Sequence, residues 1–109
     1  LIVFLVGGDS HYTDPLVELK LTTLGYLEVA KRVHKLAHEY ASGRLIMVGG
    51  GGYNYESTAR VWSVVISEIA DLNPLDYEDL HDCCMMASNP IAKQKVEKVI
   101  EDIKKIHGL

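Results

Sequence analysis

No apolar run in the 109-residue chain is long enough to cross a bilayer. The longest uncharged apolar run, Leu1 to Val6, covers six residues, where a spanning helix needs about 20. With no basic segment before it in these residues and no small-residue cleavage site after it, it is not expected to be a signal peptide. No membrane partner is expected, and a cytoplasmic location is the default. A block of Lys or Arg is also missing. Eleven basic residues against fifteen acidic ones leave a net charge of -4, with the cations dispersed among the anions. This argues against a nucleic-acid binder, whose affinity rests on clustered positive charge. Cysteine is scarce, and the two present, Cys83 and Cys84, are adjacent. That suits neither a disulfide nor a zinc pair, and reads as small residues in a loop of a reduced protein. Repeats and low-complexity segments are absent.

What is there, 48% hydrophobic and 24% charged residues, describes one globular domain or a piece of one. The first residue already lies inside a strand-like run without an initiator Met or polar lead-in, so a fragment of a larger domain is expected. Leu1 to Val6 is β-branched and apolar and stops at Gly7-Gly8, the profile of a parallel strand buried on both faces. A polar loop with an Asp14-Pro15 turn follows. From about Thr22, Leu24, Leu27, Ala30, Val33, Ala37 and Ala41 recur at steps of three and four and predict an amphipathic helix ending at Gly43.

Leu45 to Val48 repeats the apolar-then-glycine pattern, and the separation of the two runs predicts a parallel pair joined in the right-handed sense. Glu56 to Ala70 has little polar face and predicts a largely buried helix. Asp71 to Ser88 reads as an irregular connection. Asn89-Pro90 then supplies a cap and first turn for a terminal helix with Ala92, Val96, Val99, Ile100, Ile103 and Ile106 on one stripe.

In a parallel α/β sheet, ligands gather outside the carboxyl ends of the strands. Two loops meet that condition: Gly7-Gly8-Asp9-Ser10-His11 and Gly49-Gly50-Gly51-Gly52-Tyr53-Asn54. A carboxylate at a strand end after two glycines suits a metal ligand, although a turn aspartate explains it as well. His11 would complete an Asp-x-His zinc pairing, against the plainer reading of a loop histidine. The glycine run could cradle phosphate, but it lacks the Gly-Lys-Ser/Thr ending of a P-loop, and Asn54 stands where the third glycine of a dinucleotide fingerprint belongs. It could equally line a narrow passage and deliver the Tyr53 phenol to a developing oxyanion. A structural tyrosine remains the alternative.

The sequence G-G-D-S-H-Y-T-D-P, followed by R-L-I-M-V-G-G-G-G-Y-N and S-T-A-R-V-W, resembles the C-terminal part of the catalytic domain of the histone deacetylase superfamily. Within it, the resemblance is to prokaryotic acetoin utilization proteins of the AcuC type. The resemblance covers roughly Leu1 to Asp71. It implies an α/β, parallel-sheet fold of the arginase/deacetylase type, here a β-α-β-α fragment plus terminal helix over residues 1–109. It further implies a Zn2+-dependent deacetylase hydrolysing acetyl-lysine or a small acetylated amine.

Carried over by motif, Asp9 matches an aspartate metal ligand, Tyr53 the oxyanion-stabilising tyrosine, and Gly51 and Gly52 the glycines lining the substrate tunnel. His11 matches no ligand position. The general-base histidines and remaining ligands have no counterpart here, so the 109 residues alone are expected to be inactive. Glu56 stands where corepressor-bound members carry a basic residue for inositol phosphate, so that regulation is not expected. Rival readings are an acetylpolyamine amidohydrolase, a noncatalytic nucleotide- or phosphate-binding module, and an assembly piece using its apolar strand edge.

Overall fold

The computed structural model describes residues 1–83 and 89–109, with the backbone alone for Pro74 and Leu75. The described elements run β1 (Ile2–Val6), α1 (Thr23–Ala41), β2 (Leu45–Gly49), α2 (Tyr55–Ile69) and α3 (Pro90–His107). Short 3-10 turns lie at Gly8–Ser10 and Pro74–Leu80. β1 and β2 are parallel, with Ile2 opposite Leu45 and Val6 opposite Gly49. α1 supplies the crossover that a parallel pair requires.

The helix boundaries have local causes. The Thr22 hydroxyl accepts a hydrogen bond from the Gly25 N–H at 3.3 Å and starts α1. The stop expected at Gly43 begins one residue earlier: Ser42 takes φ 53° and Gly43 φ 73°. Asn54 Oδ1 caps α2 by accepting from the Ser57 N–H at 3.2 Å. Asn89 Oδ1 caps α3, accepting from the Ile91 and Ala92 N–H groups at 3.0 and 3.2 Å. Pro90 follows at a position whose missing N–H costs the helix nothing.

Val6, Tyr26, Ala30, Val61 and Val65 form the main core, with Phe4, Met47 and Trp62 packed against it. The Trp62 indole N–H donates to the Val6 carbonyl at 2.9 Å and pins α2 to the end of β1. A second cluster of Leu27, Val64 and Tyr77 attaches the Pro74–Leu80 turn to the helices.

The burial of β1 on both faces, expected from its composition, is not found. Val3 is 62% and Leu5 65% exposed, and their register partners Ile46 and Val48 are exposed with them. Side chains alternate along a strand, and α1 and α2 meet only the face carrying Phe4, Val6 and Met47. α2 is buried along Val61, Val64 and Val65, whereas Ile66 on its far side is exposed. α3 forms as expected, but none of its residues is buried, and Val96, Val99, Ile100, Ile103 and Ile106 stand exposed. Among the described residues no helix is long and apolar enough to cross a membrane. Cys83 is exposed; Cys84, with the end of the connection at 84–88, lies outside the described residues.

Candidate active site

Because Val6 pairs with Gly49, both strands release their chains at one edge of the sheet. The backbone then laces the two loops together. The Gly50 N–H donates to the Val6 carbonyl at 3.0 Å, and the Gly8 N–H donates to the Gly51 carbonyl.

Asp9 sits in the Gly8–Ser10 turn, and its carboxylate lies between the two glycine loops. A Cβ on Gly7 would run into Asp9 Oδ1, and one on Gly51 into Asp9 Oδ2. The glycines are therefore the space that the carboxylate occupies. Among the described residues none donates a hydrogen bond to Asp9. Its carboxylate lines a cavity of about 330 Å³ together with Phe4, Leu21, Tyr26, Val29 and Gly51. The Tyr26 hydroxyl donates to the Gly7 carbonyl at 2.8 Å, and burial pushes that phenol above its ordinary pKa.

The same contacts weaken the phosphate-cradle reading. A cradle needs free backbone N–H groups, yet those of Gly8, Gly50 and Tyr53 are spent within the chain. The space beside Gly51 already holds a carboxylate. Gly52 has its own reason: it adopts φ 146°, and a Cβ there would strike Thr58.

Tyr53 leaves the glycine run as an exposed residue, 52% accessible. The cavity is lined by Asp9 and Gly51 but not by Gly52 or Tyr53. What holds Tyr53 is its backbone: its N–H donates to Asp14 Oδ2 at 2.9 Å. The other carboxylate oxygen, Oδ1, accepts from the Leu16 and Val17 N–H groups at 2.9 and 3.0 Å. Desolvation pulls the Asp14 carboxyl up, but these bonds and the Asn54 backbone outweigh it and hold the group below the usual carboxylate value. The Asp14-Pro15 signal marks the local turn, and nothing in the sequence marks its reach to Tyr53.

His11 turns away from any ligand role. It is fully buried, and both ring nitrogens are engaged. Nδ1 lies 2.8 Å from the Thr13 hydroxyl and accepts from the Thr13 N–H at 3.3 Å. That assigns the proton to Nε2, which donates to Asp82 Oδ2 at 3.1 Å. Asp82 also accepts from the Thr23 N–H at 2.8 Å and the Thr23 hydroxyl at 3.0 Å. The guanidinium of Arg60 stands 3.5 Å from its Oδ1. Asp82 lies in the motif-poor connection after α2, where no spacing signal could have found it.

Residues 1–69 match the family model described as the histone deacetylase domain. The chain belongs to the histone deacetylase family. Three relatives illustrate the likeness. Acetoin utilization protein AcuC of Bacillus subtilis is 39% identical over 75 residues, covering 68% of this chain and 19% of the relative. A probable deacetylase of Archaeoglobus fulgidus is 32% identical over 111 residues, covering 98% of this chain and 31% of the relative. AcuC of Staphylococcus aureus strain Mu50 is 40% identical over 72 residues, covering 65% of this chain and 18% of the relative. The chain thus spans between about a fifth and a third of the length of these deacetylase-family relatives. The family match contains Asp9, Gly51, Gly52 and Tyr53 and ends before Asp82.

Proposed function

We propose that this chain is part of a zinc-dependent deacetylase that hydrolyses an acetylated amine of the acetyl-lysine type. In this reading Asp9 is a metal ligand, Tyr53 the oxyanion donor, and Gly51 and Gly52 walls of the substrate passage. The observation that carries it is the Asp9 carboxylate, held at a strand end between Gly7 and Gly51, with no hydrogen-bond donor among the described residues.

Asp9 fits zinc in kind, as an anionic oxygen on a rigid element. It does not complete a site. Among the described residues no three His, Cys, Asp or Glu side chains group to hold a metal, and a catalytic zinc takes about three protein ligands. The other ligands and the general base then belong to parts of the parent outside these 109 residues. Further strands and layers of an arginase/deacetylase-type sheet would cover the bare face at Val3, Leu5, Ile46 and Val48. Zinc, when bound, supplies a Lewis acid for the acetyl carbonyl.

This chain's own contribution is steric and electrostatic. In this reading the backbone of Gly51 and Gly52 borders the passage for the aliphatic chain of the acetylated amine, while the absence of a side chain at Gly51 makes room for the Asp9 carboxylate. The Tyr53 phenol donates its hydrogen to the carbonyl oxygen as negative charge develops there, an interaction stronger in the transition state than in the ground state.

In the full-length protein, Tyr53→Phe is expected to lower kcat about 10²- to 10³-fold with zinc content unchanged, and Asp9→Ala to release zinc. Retained activity in both variants overturns the assignment. The 109-residue chain alone is expected to show no deacetylase activity and no tight zinc binding by calorimetry.

A further inference from the structure

We propose that Asp14 is the positioning residue for Tyr53: its carboxylate clamps the loop that carries the oxyanion donor to the loop that carries Asp9. The inference rests on the reading of Tyr53 given above.

Tyr53 follows four residues without side chains, Gly49 at the end of β2 and then Gly50, Gly51 and Gly52, the last at φ 146°. Such a run has more conformational freedom than any other sequence of its length, so it cannot by itself aim the ring. Transition-state stabilisation needs the donor held within about 0.5 Å, and a misplacement of about 1 Å can cost about 10²-fold in rate. The restraint comes from outside the run. Asp14 Oδ2 accepts the Tyr53 N–H at 2.9 Å, one bond from the Cα that carries the ring. Next to it, Asn54 Nδ2 donates to the Thr13 carbonyl at 3.4 Å. The dipeptides Thr13-Asp14 and Tyr53-Asn54 are thereby paired across the site edge. Since Asp14 lies in the loop that begins at Asp9, the clamp relates the two groups on which the proposed chemistry depends.

The two oxygens of Asp14 divide the work, which makes the role separable from that of an ordinary turn residue. Oδ1 holds the local turn through Leu16 and Val17, and Oδ2 alone reaches Tyr53. Asp14→Asn keeps the shape and one acceptor. With that oxygen retained on the two turn N–H groups, the amide nitrogen faces the Tyr53 N–H, donor against donor. Asp14→Ser is a second variant, able to hold the turn through its hydroxyl but too short to span to Tyr53.

The test is steady-state kinetics of the full-length zinc-loaded protein on an acetyl-lysine peptide, with zinc content, thermal midpoint and amide exchange of the Tyr53 segment measured alongside. Asp14→Asn is expected to lower kcat about 10- to 100-fold, leave KM and zinc content unchanged, and speed exchange at Tyr53. In a Tyr53→Phe background it is expected to change kcat less than about twofold, because the group it positions is already gone. Undiminished kcat in Asp14→Asn beside an impaired Tyr53→Phe overturns this inference alone. An unimpaired Tyr53→Phe overturns the reading beneath it. Additive losses in the double variant, or loss of zinc or fold in both Asp14 variants, make Asp14 a structural residue and overturn the positioning role.

Discussion

His11 Nε2 lies 3.1 Å from Asp82 Oδ2, joining residues 71 positions apart in a buried pair. His11 is fully buried, and the Asp82 side chain is 3% exposed. Through Thr23 and Arg60 the same carboxylate reaches the start of α1 and the first half of α2. The loop that carries Asp9 is therefore braced from behind by a residue that lies beyond the family match.

Removing that carboxylate leaves the His11 Nε2–H and the Thr23 N–H buried without an acceptor, and each such group costs about 1–3 kcal/mol. Asp82→Ala is expected to destabilise the chain by about 3 kcal/mol in urea unfolding. A loss below about 0.5 kcal/mol would mean that the pair does not brace the loop.

The pH dependence has a definite sign. Burial acts to raise the Asp82 carboxyl, but hydrogen bonds from the Thr23 N–H, His11 and the Thr23 hydroxyl outweigh it and hold it below the ordinary value. Asp14 is held low as well. As pH falls, the unfolded chain takes up these protons first, near the ordinary carboxylate value of about 3.9, so protonation favours unfolding. The stabilisation is fully present above that value and is lost as pH drops through the lowered folded values. Urea midpoints measured from pH 7 to pH 3 should show this loss below about pH 4, and Asp82→Asn should flatten it. An unchanged slope in that variant would assign the acid sensitivity elsewhere.

The glycines of the second loop are expected to differ in what their substitution damages. Gly51→Ala places a methyl group against Asp9 Oδ2, so in the full-length protein its main effect should be weaker zinc binding. Gly52→Ala meets Thr58 and requires an alanine at φ 146°, so its effect should be on stability, about 1–3 kcal/mol. Gly43→Ala, at φ 73° with its nearest neighbour at 3.4 Å, should cost about 1 kcal/mol and leave metal binding alone. Thermal midpoints and zinc titrations of the three variants separate these outcomes; equal zinc affinity in Gly51→Ala and Gly43→Ala would contradict the first.

Much of the architecture was legible because its causes are local. Asn89, expected as a cap, does cap α3, and Thr22 and Asn54 cap α1 and α2 in the same way, each side chain accepting from an N–H two or three residues on. The repeated apolar-then-glycine pattern located both strand ends, and the length of the crossover made the strands parallel. The burial of β1 was not legible, because composition cannot say how many layers a sheet has to pack against. Asp14 and Asp82 were not legible as partners of Tyr53 and His11, because a side-chain hydrogen bond across 39 or 71 positions leaves no periodicity or spacing in the chain.

The sequence by itself determined the order of elements, the family resemblance, and the four residues Asp9, Gly51, Gly52 and Tyr53 as the candidate site. Those follow from short-range propensity and contiguous motif. Only the tertiary structure decided what surrounds them: Asp9 seated in the space two glycines leave, His11 buried and paired rather than open to a metal, and Tyr53 held by Asp14. The reason is geometric, since the parallel register of β1 and β2 brings both loops to one edge, and only there does each side chain find its acceptor or its room.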